Sequence, residues 1–204
     1  CGRVGCLEQG RVVHYMIVLY GLDSDIALRN ALVEMYAKCK DFLEAQLVFD
    51  MLDDKDIVSW NSLIASYVPH GYAAIEVFES MQEHGLAADK ITYLCVLKAC
   101  GKLGFIAKGI ETHMHIVLSE CETDQLVSVS LINMYAKCGF IEESQDLFDY
   151  LPTRDVVAWN ALIAGCIECG LDDQVLQSVL CMECEGVSLD EITYVCCLKA
   201  CRNF

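Results

Sequence analysis

The stretch Ala31–Leu52, ALVEMYAKCKDFLEAQLVFDML, is written a second time with substitutions as Ser130–Leu151, SLINMYAKCGFIEESQDLFDYL. The pentad MYAKC is identical in the two, at Met35–Cys39 and Met134–Cys138, 99 positions apart. The echo continues downstream. DIVSWNSLIASY (Asp56–Tyr67) and DVVAWNALIAGC (Asp155–Cys166) keep the offset of 99, which sets Trp60 against Trp159. ITYLCVLKAC (Ile91–Cys100) and ITYVCCLKAC (Ile192–Cys201) stand 101 apart, because the first copy is two residues shorter just after Gly71. A period of about 100 residues is too long for one solenoid unit, so it must subdivide.

Aspartate marks the divisions. Asp25, Asp56, Asp89, Asp124, Asp155 and Asp190 each precede an apolar helical stretch, at intervals of 31, 33, 35, 31 and 35. Asp is a strong N-cap, because its carboxylate accepts hydrogen bonds from the free amides of the first turn. Each interval holds two helical patterns. Phe42, Ala45, Phe49 and Leu52 share one face, as do Ile106, Ile110, Met114, Val117 and Leu118. Gly71, Gly139 and Gly170 mark turns between paired helices. Two-helix units of this length cannot bury their apolar faces alone and must stack on neighbours. The expected fold is all-α, an α-solenoid superhelix of antiparallel two-helix repeats.

Composition agrees with a folded chain. Hydrophobic residues make up 55% and charged residues 22%, with a formal net charge of −16. Only Pro69 and Pro152 interrupt it, and no low-complexity linker separates two halves. No apolar run approaches the roughly 18–20 residues that span a bilayer. The chain opens at Cys1 without Met or a basic leader, so a fragment or processed piece is expected. Its 14 cysteines sit inside apolar helical patterns such as YVCCLKAC, where free thiols act as small hydrophobes; this points to a reducing compartment.

These motifs resemble the pentatricopeptide repeat family, specifically its plant arrays of mixed long, short and standard repeats. The order reads as a partial long repeat at 1–24, short at 25–55, standard at 56–88 (two residues short), long at 89–123, short at 124–154, standard at 155–189 and partial long at 190–204. Together they form one continuous solenoid domain. MYAKC then closes the first helix of each short repeat. The tetratricopeptide repeat, a protein-binding solenoid, fits less well, since its W-x2-L-G-x2-Y signature is absent and the spacings are uneven.

The resemblance implies binding of single-stranded RNA, about one base per repeat. In the family a base is read by the fifth residue of the first helix together with the last residue of the repeat. Those positions hold Asn30 with Asp56, Asn61 with Asp89, and Asn160 with Asp190. The family associates an Asn/Asp pair with uracil. Capping alone would also account for the aspartates. Leu94, Val129 and Val195 occupy the fifth position elsewhere and carry no hydrogen-bonding group. The second residue of each repeat is Ala27, Val58, Ile91, Leu126, Val157 or Ile192. In the family such residues sandwich bases; core packing is the alternative.

The acidic balance opposes a phosphate ligand, but its distribution is uneven. The first helices carry Arg29, Lys38, Lys90, Lys98, Lys102, Lys137, Lys199 and Arg202 against Glu34, Glu168 and Glu191. In the family the first helices line the concave groove, so the resemblance implies a mildly basic groove on an acidic body. Lys38, Lys102 and Lys137 recur near first-helix ends, where they suit phosphates or complement the helix dipole.

Other chemistry finds no support. Cys166, Cys169, Cys181 and Cys184 form a CxxC…CxxC pattern, a common zinc signal. Here Cys181 falls about 16 Å along a helix from the turn near Gly170, too far for four thiolates to share an ion. The other copy has Tyr67, His70, Ser80 and Glu83 at those places. His113 and His115 read as solvated helix residues. With no nucleophile beside a base, no phosphate loop and no H-x-E deaminase signature, the chain reads as a non-enzyme without metal or cofactor. The resemblance implies a mitochondrial or chloroplast protein of the kind that selects RNA editing sites. Its partners would be single-stranded RNA and proteins of an editing complex, with no DNA and no membrane. The competing expectation is a protein-binding scaffold that uses an acidic convex face.

Overall fold

A computed structural model describes residues 2–52 and 55–201, with side chains from residue 6 onward and Glu122 excepted. Among the described residues the chain forms twelve α-helices and no strand. They are α1 Gly2–Leu19, α2 Ile26–Lys38, α3 Phe42–Asp50, α4 Ile57–Tyr67, α5 Tyr72–Glu83, α6 Lys90–Leu103, α7 Ile106–Leu118, α8 Gln125–Lys137, α9 Ile141–Asp149, α10 Val156–Glu168, α11 Asp172–Cys184 and α12 Glu191–Cys201. None is long and apolar enough to cross a membrane. Arg202, counted above among the groove cations, lies outside the described residues.

All six boundary aspartates are N-caps. Asp25 accepts from the Leu28 N–H at 2.9 Å, Asp56 from Ser59 at 2.8 Å and Asp89 from Thr92 at 2.9 Å. Asp124, Asp155 and Asp190 accept at 2.9 Å from Leu126, Ala158 and Thr193. Each such cap is worth about 0.5–2 kcal/mol. The far ends close by a left-handed residue. Gly139, at φ 85°, follows α8 and lets the Phe140 N–H reach the Tyr135 carbonyl at 2.9 Å. The matching residue after α2 is Lys40, held at φ 65° without glycine's freedom.

By contact the chain divides into two units, Cys1–Val96 and Leu97–Phe204, the division falling within α6. In the first unit α2 packs on α3 and α4, and α4 on α5. Leu32, Val33, Tyr36, Phe49, Leu63, Ile64, Phe78 and Met81 form its buried core. In the second unit α8 packs on α9 and α10, and α10 on α11 and α12. Val129, Ile132, Phe148, Trp159, Leu162, Val175 and Met182 are buried together there. The first helices thus sit side by side within each unit, with the second helices behind them.

The repeated pentad is a packing device. Tyr36 hydrogen-bonds His14 Nδ1 at 2.8 Å, and Tyr135 bonds His113 Nδ1 at 2.9 Å. Met35 lies against Gly10 and Met134 against Gly109, where an added Cβ would come within 2.3 and 2.4 Å of sulfur. His113 is therefore a half-buried hydrogen-bonding residue, not a solvated one. His115 stays partly exposed, 3.9 Å from Glu111. In α7 the apolar stripe of Ile110, Met114, Val117 and Leu118 faces solvent, while Lys108, Gly109, Thr112 and Ile116 are buried. Close approach of Met134 at Gly109 sets this rotation, and Lys108 pairs with Glu111 at 2.8 Å. The tryptophans also repeat their setting. Trp60 meets Phe49 edge-on at 4.8 Å and Trp159 meets Phe148 at 4.6 Å, with Lys55 and Arg154 over the respective phenyl rings.

Candidate nucleic-acid interface

An asparagine one turn into a helix needs partners once it is buried, and Asn61 is only 6% exposed. Its amide Nδ2 donates to Asp89 Oδ1 at 2.9 Å, and its Oδ1 accepts from the Thr92 hydroxyl at 2.6 Å. The same Asp89 caps α6 through the Thr92 N–H. The second copy repeats the arrangement. Asn160 Nδ2 donates to Asp190 Oδ2 at 2.9 Å, and Thr193 donates to Asn160 Oδ1 at 2.8 Å. Capping and pairing with asparagine are therefore not alternatives. One carboxylate has enough lone pairs for both.

Asn30 differs. It is as buried as Asn160, yet its Oδ1 has no hydrogen-bond partner. Asp56 instead holds the Ser59 N–H at 2.8 Å and the Ser59 hydroxyl at 2.7 Å. The structure brings the paired residues together at Asn61/Asp89 and Asn160/Asp190 and gives no such bond at Asn30/Asp56.

These contacts set the charge of the aspartates. Desolvation raises the Asp89 carboxyl, but the Thr92 N–H and the Asn61 amide outweigh it and hold it below its ordinary value. Asp190 is lowered first by the Thr193 N–H, with the Asn160 amide adding to it against desolvation. Asp56 is lowered by the N–H and hydroxyl of Ser59.

The apolar second residues do not pack in the core. Val58, Ile91, Leu126, Val157 and Ile192 are all between 53% and 58% exposed, and Ala27 is exposed too. Each unit therefore presents apolar side chains at its surface near the starts of its first helices. In the first unit Val58 and Ile91 line a cavity of about 570 Å³ together with Asn61, Asp89 and Lys38. Lys38 is exposed there and ion-paired with Glu34. Lys102 and Lys137 are exposed at the ends of α6 and α8. Arg29 is not a groove cation, because its guanidinium is held by the carbonyls of Asp23 and Met51. Val129, at a fifth position, is core.

Thr92 and Thr193 are the site residues that sequence reasoning passed over. Their signal is the shared DKITY and DEITY, in which a β-branched hydroxyl follows the cap by three residues. Among the described residues no group of three or more His, Cys, Asp or Glu is placed to hold a metal ion. Cys166 is buried, while Cys181 and Cys184 are exposed.

Residues 55–102 match the PPR repeat family, and residues 29–57, 129–156 and 157–187 each match the PPR repeat. The chain belongs to the pentatricopeptide repeat family. One pentatricopeptide repeat-containing protein of Arabidopsis thaliana, named chloroplastic, is 34% identical across 100% of this chain and 33% of its own length. Another from the same plant, named mitochondrial, is 33% identical across 100% of this chain and 33% of its own length. The chain thus spans about a third of the length of these relatives. Among solved structures, the pentatricopeptide repeat protein PPR10 from maize superposes with a TM-score of 0.67 at 21% identity, covering 92% of this chain and 29% of PPR10. PPR10 in complex with an 18-nucleotide psaJ RNA element gives 0.71 at 21% identity, covering 96% and 31%. Both share the solenoid of this pentatricopeptide repeat chain.

Proposed function

We propose that this segment binds single-stranded RNA sequence-specifically, as part of a plant organellar protein that selects RNA processing sites such as C-to-U editing sites. The observation that carries the reading is the Asn61–Asp89 pair lining one cavity together with half-exposed Val58 and Ile91. A flat base entering between the two aliphatic side chains meets a polar edge whose donors and acceptors are already ordered. Organellar relatives and an RNA-bound solenoid of the same family support it. The array is of the mixed class, with repeats at 25–55, 56–88, 89–123, 124–154 and 155–189 complete and those at 1–24 and 190–204 partial. It acts as a binding scaffold, not a catalyst. Ala27, Val58, Ile91, Leu126, Val157 and Ile192 sandwich bases, and Lys38, Lys102 and Lys137 contact phosphates.

The complete repeats favour UUnnU, read 5′ to 3′ from the N-terminus, with uracils at Asn30/Asp56, Asn61/Asp89 and Asn160/Asp190. Stacking contributes about 1–3 kcal/mol per base, and the net charge of −16 opposes association, so affinity for a pentamer is modest. The test is competition binding with Asn61→Thr, which moves the family's pairing from uracil towards guanine. RNA with G at the second position gains relative to U, with the first and fifth positions unchanged. Equal weakening of every RNA, or no change, makes Asn61 structural and ends the reading. The exposed stripe of Ile110, Met114, Val117 and Leu118 on α7 favours a second role, contact with protein partners of an editing complex.

A further inference from the structure

We infer that Thr92 and Thr193 are specificity-determining positioning residues, which lock the amides of Asn61 and Asn160 in one orientation, and that the unlocked Asn30 makes the repeat at 25–55 permissive between uracil and cytosine. The inference rests on the base-reading role proposed above.

An asparagine amide has two faces of nearly equal shape, a donor side and an acceptor side. Rotating it by half a turn exchanges them and reverses what it offers a base. At Asn61 that rotation is opposed twice. It would bring Oδ1 against the Asp89 carboxylate, now 2.9 Å from Nδ2, and it would take from the Thr92 hydroxyl its nearer acceptor at 2.6 Å, leaving only Asp89 Oδ1 at 2.9 Å. Thr92 itself cannot drift, because its β-branched side chain is stiff and its oxygen also accepts from the Asp89 N–H at 3.2 Å. Thr193 holds the same place, accepting from the Asp190 N–H at 3.3 Å and donating to Asn160 Oδ1 at 2.8 Å.

With Oδ1 committed to threonine and one N–H to aspartate, each locked amide has one N–H left to offer. That N–H suits the O4 acceptor of uracil and opposes the N4 amino group of cytosine. At the first position neither lock is present. Ser59 has its hydroxyl on Asp56 at 2.7 Å, and Asn30 Oδ1 is buried without a donor. That amide can turn to meet either pyrimidine.

The experiment measures binding of the 204-residue chain to UUAAU and to versions with C at the first, second or fifth position. The unmutated protein should prefer U over C more strongly at the second and fifth positions than at the first. Thr92→Val keeps the branched shape and removes the hydroxyl. It should reduce the U-to-C ratio about threefold to tenfold at the second position only, and Thr92→Ser should restore part of it. Thr193→Val should do the same at the fifth position only, so each variant carries its own internal control. Equal discrimination at the first, second and fifth positions in the unmutated chain overturns the inference without needing any variant. Unchanged ratios in both valine variants, or uniform weakening by them, also overturn it. Where the chain in those cases still binds and still prefers U, base reading survives; loss of the U preference, or of all RNA binding, by the unmutated chain instead refutes the proposed function itself.

Discussion

Gly165 lies in α10 where that helix crosses α8. A Cβ added there would stand 2.2 Å from the Cβ of Ala136, 3.3 Å from its Cα and 3.2 Å from Ile141 Cδ1. Ala136 is fully buried, and its Cβ cannot retreat unless the α8 backbone moves. Two effects oppose each other in Gly165→Ala. Helix propensity favours alanine by about 1 kcal/mol, while overpacking a filled interface costs about 1–3 kcal/mol. With the obstacle one bond from a helix backbone, the second effect should reach its upper range, leaving a net destabilisation of about 1–2 kcal/mol. Gly109→Ala is the matched control. There the obstacles are Met134 Sδ at 2.4 Å and Cε at 2.9 Å, the far end of a flexible side chain. Methionine can swing aside, so propensity and strain should nearly cancel, within about 0.5 kcal/mol. Urea denaturation of both variants beside the parent, followed by helical ellipticity, reads the difference. A Gly165→Ala protein as stable as the parent, or less affected than Gly109→Ala, would refute this account of the α8–α10 crossing.

Acid should leave the caps at Asp56, Asp89 and Asp190 charged below the ordinary carboxylate range. A depressed carboxyl contributes stability above its ordinary pKa and loses it as the pH falls through the lowered value. Carbon-13 titration of Asp56, Asp89 and Asp190 should therefore give midpoints below 3.8, and a midpoint at or above that value would contradict the observed hydrogen bonding. Thiol reactivity should follow burial. Cys100 is pushed up to about 12 and Cys166 to about 11 by desolvation, so neither is a thiolate near neutral pH. Mass spectrometry after iodoacetamide treatment should find exposed Cys6, Cys181, Cys184 and Cys201 modified first. Cys166 reacting as early as Cys181 would show that α10 is not packed as described.

Much of this was legible because it is local. Asp25 through Asp190 announce helix starts, and an N-cap acts within four residues of its own chain. The alternation of two helical patterns per interval, and hence the all-α stack, follows from spacing alone. The rotation of α7 was not legible. Its apolar residues keep helical spacing, yet that stripe faces solvent, because the helix is seated by Gly109 on Met134, a contact 25 residues away. Spacing identifies a face but not what the face meets. MYAKC was visible as a repeat, but the partners that explain it, His14 and His113, lie 22 residues upstream of the tyrosines. The ambiguity of the aspartates also had a physical source. A letter does not say how a carboxylate's lone pairs are divided, and Asp89 divides them between a helix start and an amide 28 residues earlier.

That division has a consequence for recombination. A crossover placed at an aspartate looks like a clean cut between helical pairs, yet Asn61 leaves both of its hydrogen-bond partners on the far side of it. A transplanted segment running from residue 57 to 88 would arrive with its amide facing whatever the recipient supplies. A segment running from residue 57 to 93 carries the amide, the carboxylate and the hydroxyl as one inheritable block. The natural joint for exchange in this chain is therefore offset by about one helical turn from the boundary that its sequence period displays.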